Sequence, residues 1–196
     1  MAAEEKPKIF EGARDIILTV GRILIMMFLV VGATGLCTVN PEKTGPVQDV
    51  DASTFLEMEA RTQGAVIREP QLPEGWQPTA ARRMQMGAES GAVVSWLTPD
   101  EGYVESVQTQ VALDDVPAAY DSTYRANSEQ RHVAGHDVQV LTSDDKGVRP
   151  LWITDLGDAR LMLTGSAADA DYETALAAFV DAAPLRIAED GSVVSQ

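Results

Sequence analysis

"LWITDLGDARLMLTG", residues 151–165, decides the fold. Two β-rich runs flank Gly157-Asp158, a pair suited to a two-residue type II′ hairpin loop, because glycine takes the positive φ that the first loop position requires. Leu151 and Ile153 share one face of the first run, and Trp152 and Thr154 share the other. The same period of two continues upstream from Trp76. "AVVSWLT" (92–98) and "YVESVQTQVAL" (103–113) read as strands joined by the loop "PDEG". Tyr103, Val107, Val111 and Leu113 fall on one face of the second, and Ser106, Gln108 and Gln110 on the other. "DVQVLTS" (137–143) is a further strand, closed by the turn "SDDKG". In "AVIREPQLPEGWQP" three prolines break regular structure, leaving Val66 and Ile67 as a short edge strand.

Helical spacing marks three segments of this region. Residues 52–62 read as a short helix, with Thr54 and Glu57 in capping-box spacing and Phe55 and Met58 three apart. Residues 115–129 follow, with Pro117 at a helix start and Val116, Tyr120 and Tyr124 four apart. "DADYETALAAFVDAAP" places Tyr172, Leu176, Phe179, Val180 and Ala183 on one side. Its acids Asp169, Asp171 and Glu173 suit the positive N-terminus, and Pro184 stops it. The predicted class is α+β: an antiparallel sheet with helices packed on one face, preceded by one N-terminal transmembrane helix.

That last expectation rests on "GRILIMMFLVVGATGLC", residues 21–37. Residues 16–36 hold one charge, Arg22, over a length that spans a bilayer core of ~30 Å. Arg22 lies close enough to one end to snorkel to the headgroups. Four basic residues lie before or within the run, and the positive-inside rule puts the N-terminus in the cytoplasm. The expected organisation is a cytoplasmic tail (1–15), a membrane helix (16–36) in plasma-membrane lipid, a linker (37–50) and an extracytoplasmic domain (51–196). A signal anchor is preferred to a lipoprotein signal, because Leu36 stands where a small residue must precede Cys37. It is preferred to a cleaved signal after "VGA" (31–33), because the N-terminal region is long and carries four acids. Gly32, Ala33 and Gly35 offer a small-residue surface to another helix.

The chain has 196 residues and a formal net charge of −15. Lys6, Lys8, Arg14 and Arg22 balance the four acids of the first 40 residues, so the whole excess lies beyond them. Such a surface repels a phosphate backbone, which sets nucleic acid aside as a partner. The single cysteine, Cys37, rules out an intramolecular disulfide, a thiolate metal site and a CxxC redox motif.

Four segments in order, "GARDIILTVGRILIMMFLVVGATGLC", "NPEKTGPVQDVDASTFLEMEAR", "LPEGWQPTAARR" and "LWITDLGDARLMLTG", resemble an actinobacterial family known as domain of unknown function 4245. The resemblance runs from about Lys6 to about Ala183. It implies a short cytoplasmic tail, one membrane helix and an extracytoplasmic α+β domain, and it carries over no catalytic or binding residue.

His132 and His136 in "HVAGH" have the spacing of helical metal ligands, but Val133 and Gly135 disfavour a helix, and solvated turn histidines are the better reading. Asp169, Asp171 and Glu173 lack the glycine and glutamate of a calcium loop. Asp114-Asp115 and Asp144-Asp145 read as turn residues. Ser90, in "AESGA", lacks the first glycine of a nucleophile elbow. Arg82-Arg83 is expected on the solvent side of a strand, and Trp76, Trp96 and Trp152 in core or sheet-face packing rather than a ligand groove. The sequence therefore assigns no catalytic, cofactor-binding or metal site and expects no cofactor. The expected function is a non-enzymatic binding or scaffold protein, an accessory subunit of an envelope complex of the respiratory chain or cell wall with a membrane-protein partner. The alternatives are a lipid- or small-ligand-binding carrier and, less well supported, a carboxylate-dependent hydrolase.

Overall fold

A computed structural model describes residues 9–33, 50–62, 66–187 and 193–195. The chain divides into two units, Met1–Gly45 and Pro46–Gln196. In the first, helix α1 covers Ile9–Ala33. Its side chains from Ile16 to Val30 are exposed and almost wholly apolar, with Ile16, Met26 and Phe28 at 65%, 67% and 76%. Thr19 bonds back to the Asp15 carbonyl at 2.7 Å, which hides its hydroxyl within the helix. Among the described residues no helix is long and apolar enough to cross a membrane. The expected linker (37–49 of 37–50), Cys37 and the first eight residues of the expected tail lie outside the described residues.

The second unit is a mixed α/β fold on a seven-stranded antiparallel sheet. Helix α2 (Ala52–Ala60) precedes strands β1 (Gln77–Met86), β2 (Glu89–Leu97) and β3 (Tyr103–Thr109). A 3₁₀ turn (Leu113–Asp115) leads into α3 (Val116–Tyr120), followed by β4 (Asn127–Val133), β5 (His136–Thr142), β6 (Leu151–Asp155), β7 (Arg160–Gly165) and α4 (Asp169–Asp181). β8 (Leu185–Ile187) and β9 (Val193–Ser195) pair with each other. The sheet order is β1-β2-β3-β7-β6-β5-β4. It consists of two meanders of consecutive hairpins joined by one ladder, β3 against β7.

The 151–165 hairpin forms as expected. Leu156 N–H reaches Ala159 C=O at 2.9 Å around Gly157, whose φ is +87°. Trp152 faces Val104, Val138, Val140, Leu161 and Leu163 on one side of the sheet, covered by Tyr172, Leu176 and Phe179 of α4. Trp152 and Tyr172 stack with ring centroids 5.3 Å apart. Arg131 of β4 lies 4.7 Å over the Trp152 ring and closes the outer edge of this layer. α2 covers the other end of the same face, packing Leu56 on Ala92, Val94 and Trp96. The reverse face holds Val93, Val107, Leu151, Ile153 and Met162, and there α3 packs through Val116. Two helices thus share one face and the five-residue α3 lies on the other, a correction to the expectation of one face only.

Three local readings change as well. The N-cap of α2 is Asp51, which accepts from Thr54 N at 2.9 Å and from the Thr54 hydroxyl, in place of a Thr54/Glu57 box. The helix expected over 115–129 stops at Tyr120, because Asp121 is extended and ties down Thr123 N–H and Arg125; Tyr124 is 81% exposed. Val66 and Ile67 form no strand. The backbone of Arg68 is instead clamped by the Gln108 amide, which accepts from Arg68 N at 2.7 Å and donates to Arg68 O at 2.9 Å. Among the described residues an isolated bridge, Arg68 to Pro184, continues that segment.

The joining ladder ends on Gly165 (φ +152°), where an added Cβ would run into the Tyr103 carbonyl. We expect Gly165→Ala to cost about 3 kcal/mol or more, and Phe179→Ala about 3–4 kcal/mol, both read as the shift of the urea midpoint. Gly157→Ala meets no atom within 4 Å; its cost is conformational strain alone, about 1 kcal/mol.

Candidate functional site

The register of β3 with β2 and β7 puts Ser95, Glu105 and Thr164 in one row on the α3 face of the sheet. Glu105 is the exceptional member, a carboxylate only 4% exposed between Tyr103 and Val107. Its charge is met from three sides. Arg82 of β1 lies 2.9 Å from Oε2, the Tyr103 hydroxyl donates to the same oxygen at 3.0 Å, and the Tyr120 hydroxyl of α3 donates to Oε1 at 3.1 Å. Ser95 completes the chain through Tyr103 at 2.9 Å. Burial, reinforced by the Glu105 charge, pushes the Tyr120 hydroxyl up to about 12, and burial likewise raises Tyr103. The cluster therefore docks α3 onto a polar patch of an otherwise apolar face.

Beyond Tyr120 the chain turns over a cleft of about 200 Å³ lined by Asp121, Thr123, Arg125, Gly147, Val148, Arg149 and Thr164. Arg125 builds one wall. It bonds both Asp121 oxygens at 2.9 and 3.0 Å, the Arg149 carbonyl at 2.9 Å and the Thr123 carbonyl at 3.2 Å. That pairing holds the Asp121 carboxyl below the usual range. Gly147 and Val148 line the other side, in a loop where Asp145 accepts from Gly147 N–H at 2.8 Å. The guanidinium of Arg149 rests 5.1 Å over the Tyr103 ring and has no carboxylate partner among the described residues. Thr164 is fully buried, and its hydroxyl has no hydrogen-bond partner.

The residues singled out in the sequence lie elsewhere. His132 and His136 flank the Ala134-Gly135 turn between β4 and β5, where both turn residues have positive φ. His132 is opposite Asp137 and His136 opposite Val133, so the imidazoles point to opposite faces of the sheet. His132 bonds the Asp137 carboxylate at 3.0 Å, and His136 meets the Asp155 carbonyl at 3.1 Å. Asp169 and Asp171 occupy the first turn of α4, and Asp169 also pairs with Arg131 at 2.7 Å. Among the described residues no group of three His, Cys, Asp or Glu side chains is placed to hold a metal ion. Arg82 and Arg83 are each about half exposed, as expected of a solvent side, but each is also ion-paired. They project to opposite faces, Arg82 to Glu105 and Arg83 to Glu59 of α2 through two 2.9 Å bonds. Trp152 and Trp96 are buried, and the Trp96 indole donates to Ser106 at 3.1 Å. Trp76 and Trp96 border a separate cleft of about 350 Å³ beside α2.

Glu105, Tyr120, Arg149 and Thr164 escaped the sequence reading as a group. One signal was present: Glu105 is a charge on the face that also carries Tyr103 and Val107.

This architecture defines a mixed α/β domain built on one antiparallel sheet with both faces covered. Residues 8–179 match the family described as protein of unknown function (DUF4245), and the chain belongs to that family. No curated protein and no solved structure matches it.

Removing the Glu105 carboxylate takes the acceptor from the Tyr120 hydroxyl and the partner from Arg82, and leaves the Tyr103 hydroxyl with Ser95 only, so Glu105→Ala should cost about 3 kcal/mol. Arg82 is half exposed, and Arg82→Ala should cost about 1 kcal/mol or less. Urea unfolding of both variants checks the order. Tyr120 titrates higher in the fold than in the unfolded chain, so its contribution is whole below roughly pH 10 and disappears as pH rises through about 12. Tyr120→Phe should flatten that alkaline loss, followed by tyrosinate absorbance and stability against pH. Asp121 has the opposite sign: its contribution is present above roughly pH 4 and lost as pH falls below it.

Proposed function

We propose that this chain is a non-enzymatic binding protein of the cell envelope. Residues 16–36 anchor it in the plasma membrane, and the 51–196 domain is presented on the extracytoplasmic side as an accessory subunit of a larger membrane complex. The observation that carries this reading is the pairing of an apolar helix with a sheet whose two faces are already filled. Ile16–Val30 has apolar side chains on every side of α1, a surface that water does not stabilise and lipid does. The positive-inside balance of the sequence sets the direction of insertion.

The filled core supports a scaffold over a lipid carrier. Trp152, Leu161, Leu163, Tyr172, Leu176 and Phe179 are each at most 1% exposed, and the clefts described above lie at loops and edges rather than beneath α4. A carboxylate-dependent hydrolase gains no support either. Asp51 and Asp121 are both held below the usual range, opposite to what a general acid needs, and Glu105 is committed to Arg82 and two tyrosines.

The test begins with native membranes. The full chain should resist alkaline carbonate extraction, be digested by protease added outside intact spheroplasts, and leave mild detergent with a stoichiometric companion. Release by carbonate, protection of residues 51–196, or migration as a lone monomer would each overturn its part of the proposal.

A further inference from the structure

The cleft beside α3 brings together a cation without a carboxylate partner and a buried hydroxyl without a hydrogen-bond partner. The chain carries an excess of 15 negative charges, yet this cleft holds a cation with no counter-charge among the described residues. The neighbouring charges cancel in pairs: Arg125 with Asp121, and Arg82 with Glu105. Of the charged residues lining the cleft, Arg149 is the one left without a carboxylate, fixed by the ring of Tyr103 beneath it and by the bond from Arg125 to its own carbonyl. On the floor, Thr164 presents a buried hydroxyl without a partner. Unsatisfied buried hydroxyls are costly, and each calls for a group that completes it.

We infer that this cleft binds a small oxyanion, a carboxylate or phosphate group, between the Arg149 guanidinium and the Thr164 hydroxyl. A guanidinium supplies the forked donors that suit two oxygens of one anion, and the threonine hydroxyl adds a further donor. The volume, about 200 Å³, lies below that of pockets for drug-sized molecules. The site takes the charged group and a short stem. It stands independently of membrane anchoring and of any companion subunit.

The full-length protein in detergent is titrated with acetate and, separately, with inorganic phosphate, at constant ionic strength set by sodium chloride. Thermal unfolding is the readout, since a ligand of the folded state raises Tm saturably. At least one anion should give a saturable rise, and which one does so names the group. Arg149→Met should weaken the apparent affinity at least tenfold, whereas Arg186→Met, at an exposed cation on β8, should leave it unchanged. Thr164→Val tests the second contact without a change of shape. It should weaken binding several-fold while leaving the anion-free protein at least as stable, because an unpaired buried hydroxyl has been removed. No saturable response to either anion would overturn the inference. An Arg149→Met protein that responds like the parent would do so as well.

Discussion

One ladder holds the domain together. Within the large sheet every other pairing joins neighbouring strands of a meander, and such hairpins close locally. Only β3 against β7, residues 104–109 with 160–165, joins the two meanders. Both cores depend on it. It brings Val104 beside Leu161 and Leu163 under α4, and Val107 beside Met162 under α3. Gly165 terminates the ladder because the Tyr103 carbonyl leaves no room for a side chain, and Ser166 N–H then bonds that same carbonyl at 2.8 Å. The chain can turn from there directly into α4.

Legibility in the sequence followed burial. The 151–165 hairpin, β2, β3, β5 and α4 could be read because one or both faces are apolar and their ends carry turn residues. The outer strands were harder. β4, "NSEQRHV", is polar on both faces because it lies at the sheet edge, so no period of two stands out. β1 is the other edge, and its paired arginines looked like a solvated surface until α2 and Glu105 claimed one each. The α3 segment was overread as a long helix: the four-residue spacing of Val116, Tyr120 and Tyr124 is real, but the Asp121–Arg125 pair redirects the chain after one turn. The family resemblance holds over residues 8–179 and could say nothing of a site. The cleft was invisible for a different reason. Its contributors at positions 105, 120, 149 and 164 come together only through the β3–β7 register and the packing of α3.

Polar residues inside the sheet divide by face. On the α4 side, Ser106 and Gln108 serve the fold, one receiving the Trp96 indole and the other holding the backbone at Arg68. On the α3 side, Glu105 holds two tyrosines and an arginine, and a cleft with an uncompensated cation opens next to it. The same strand thus secures an irregular segment on one side and supports the candidate site on the other.

The order of strands also shapes how the chain is made. β1, β2 and β3 are complete once Thr109 has been synthesised, but the partner of β3 begins only at Arg160. For about 50 residues of elongation the β3 flank has unpaired amides and carbonyls, where a neighbouring nascent chain could attach. Glu105, Ser106, Gln108 and Thr109 sit along that flank. Side chains that are awkward in a finished core make the unfinished strand a poor template for aggregation.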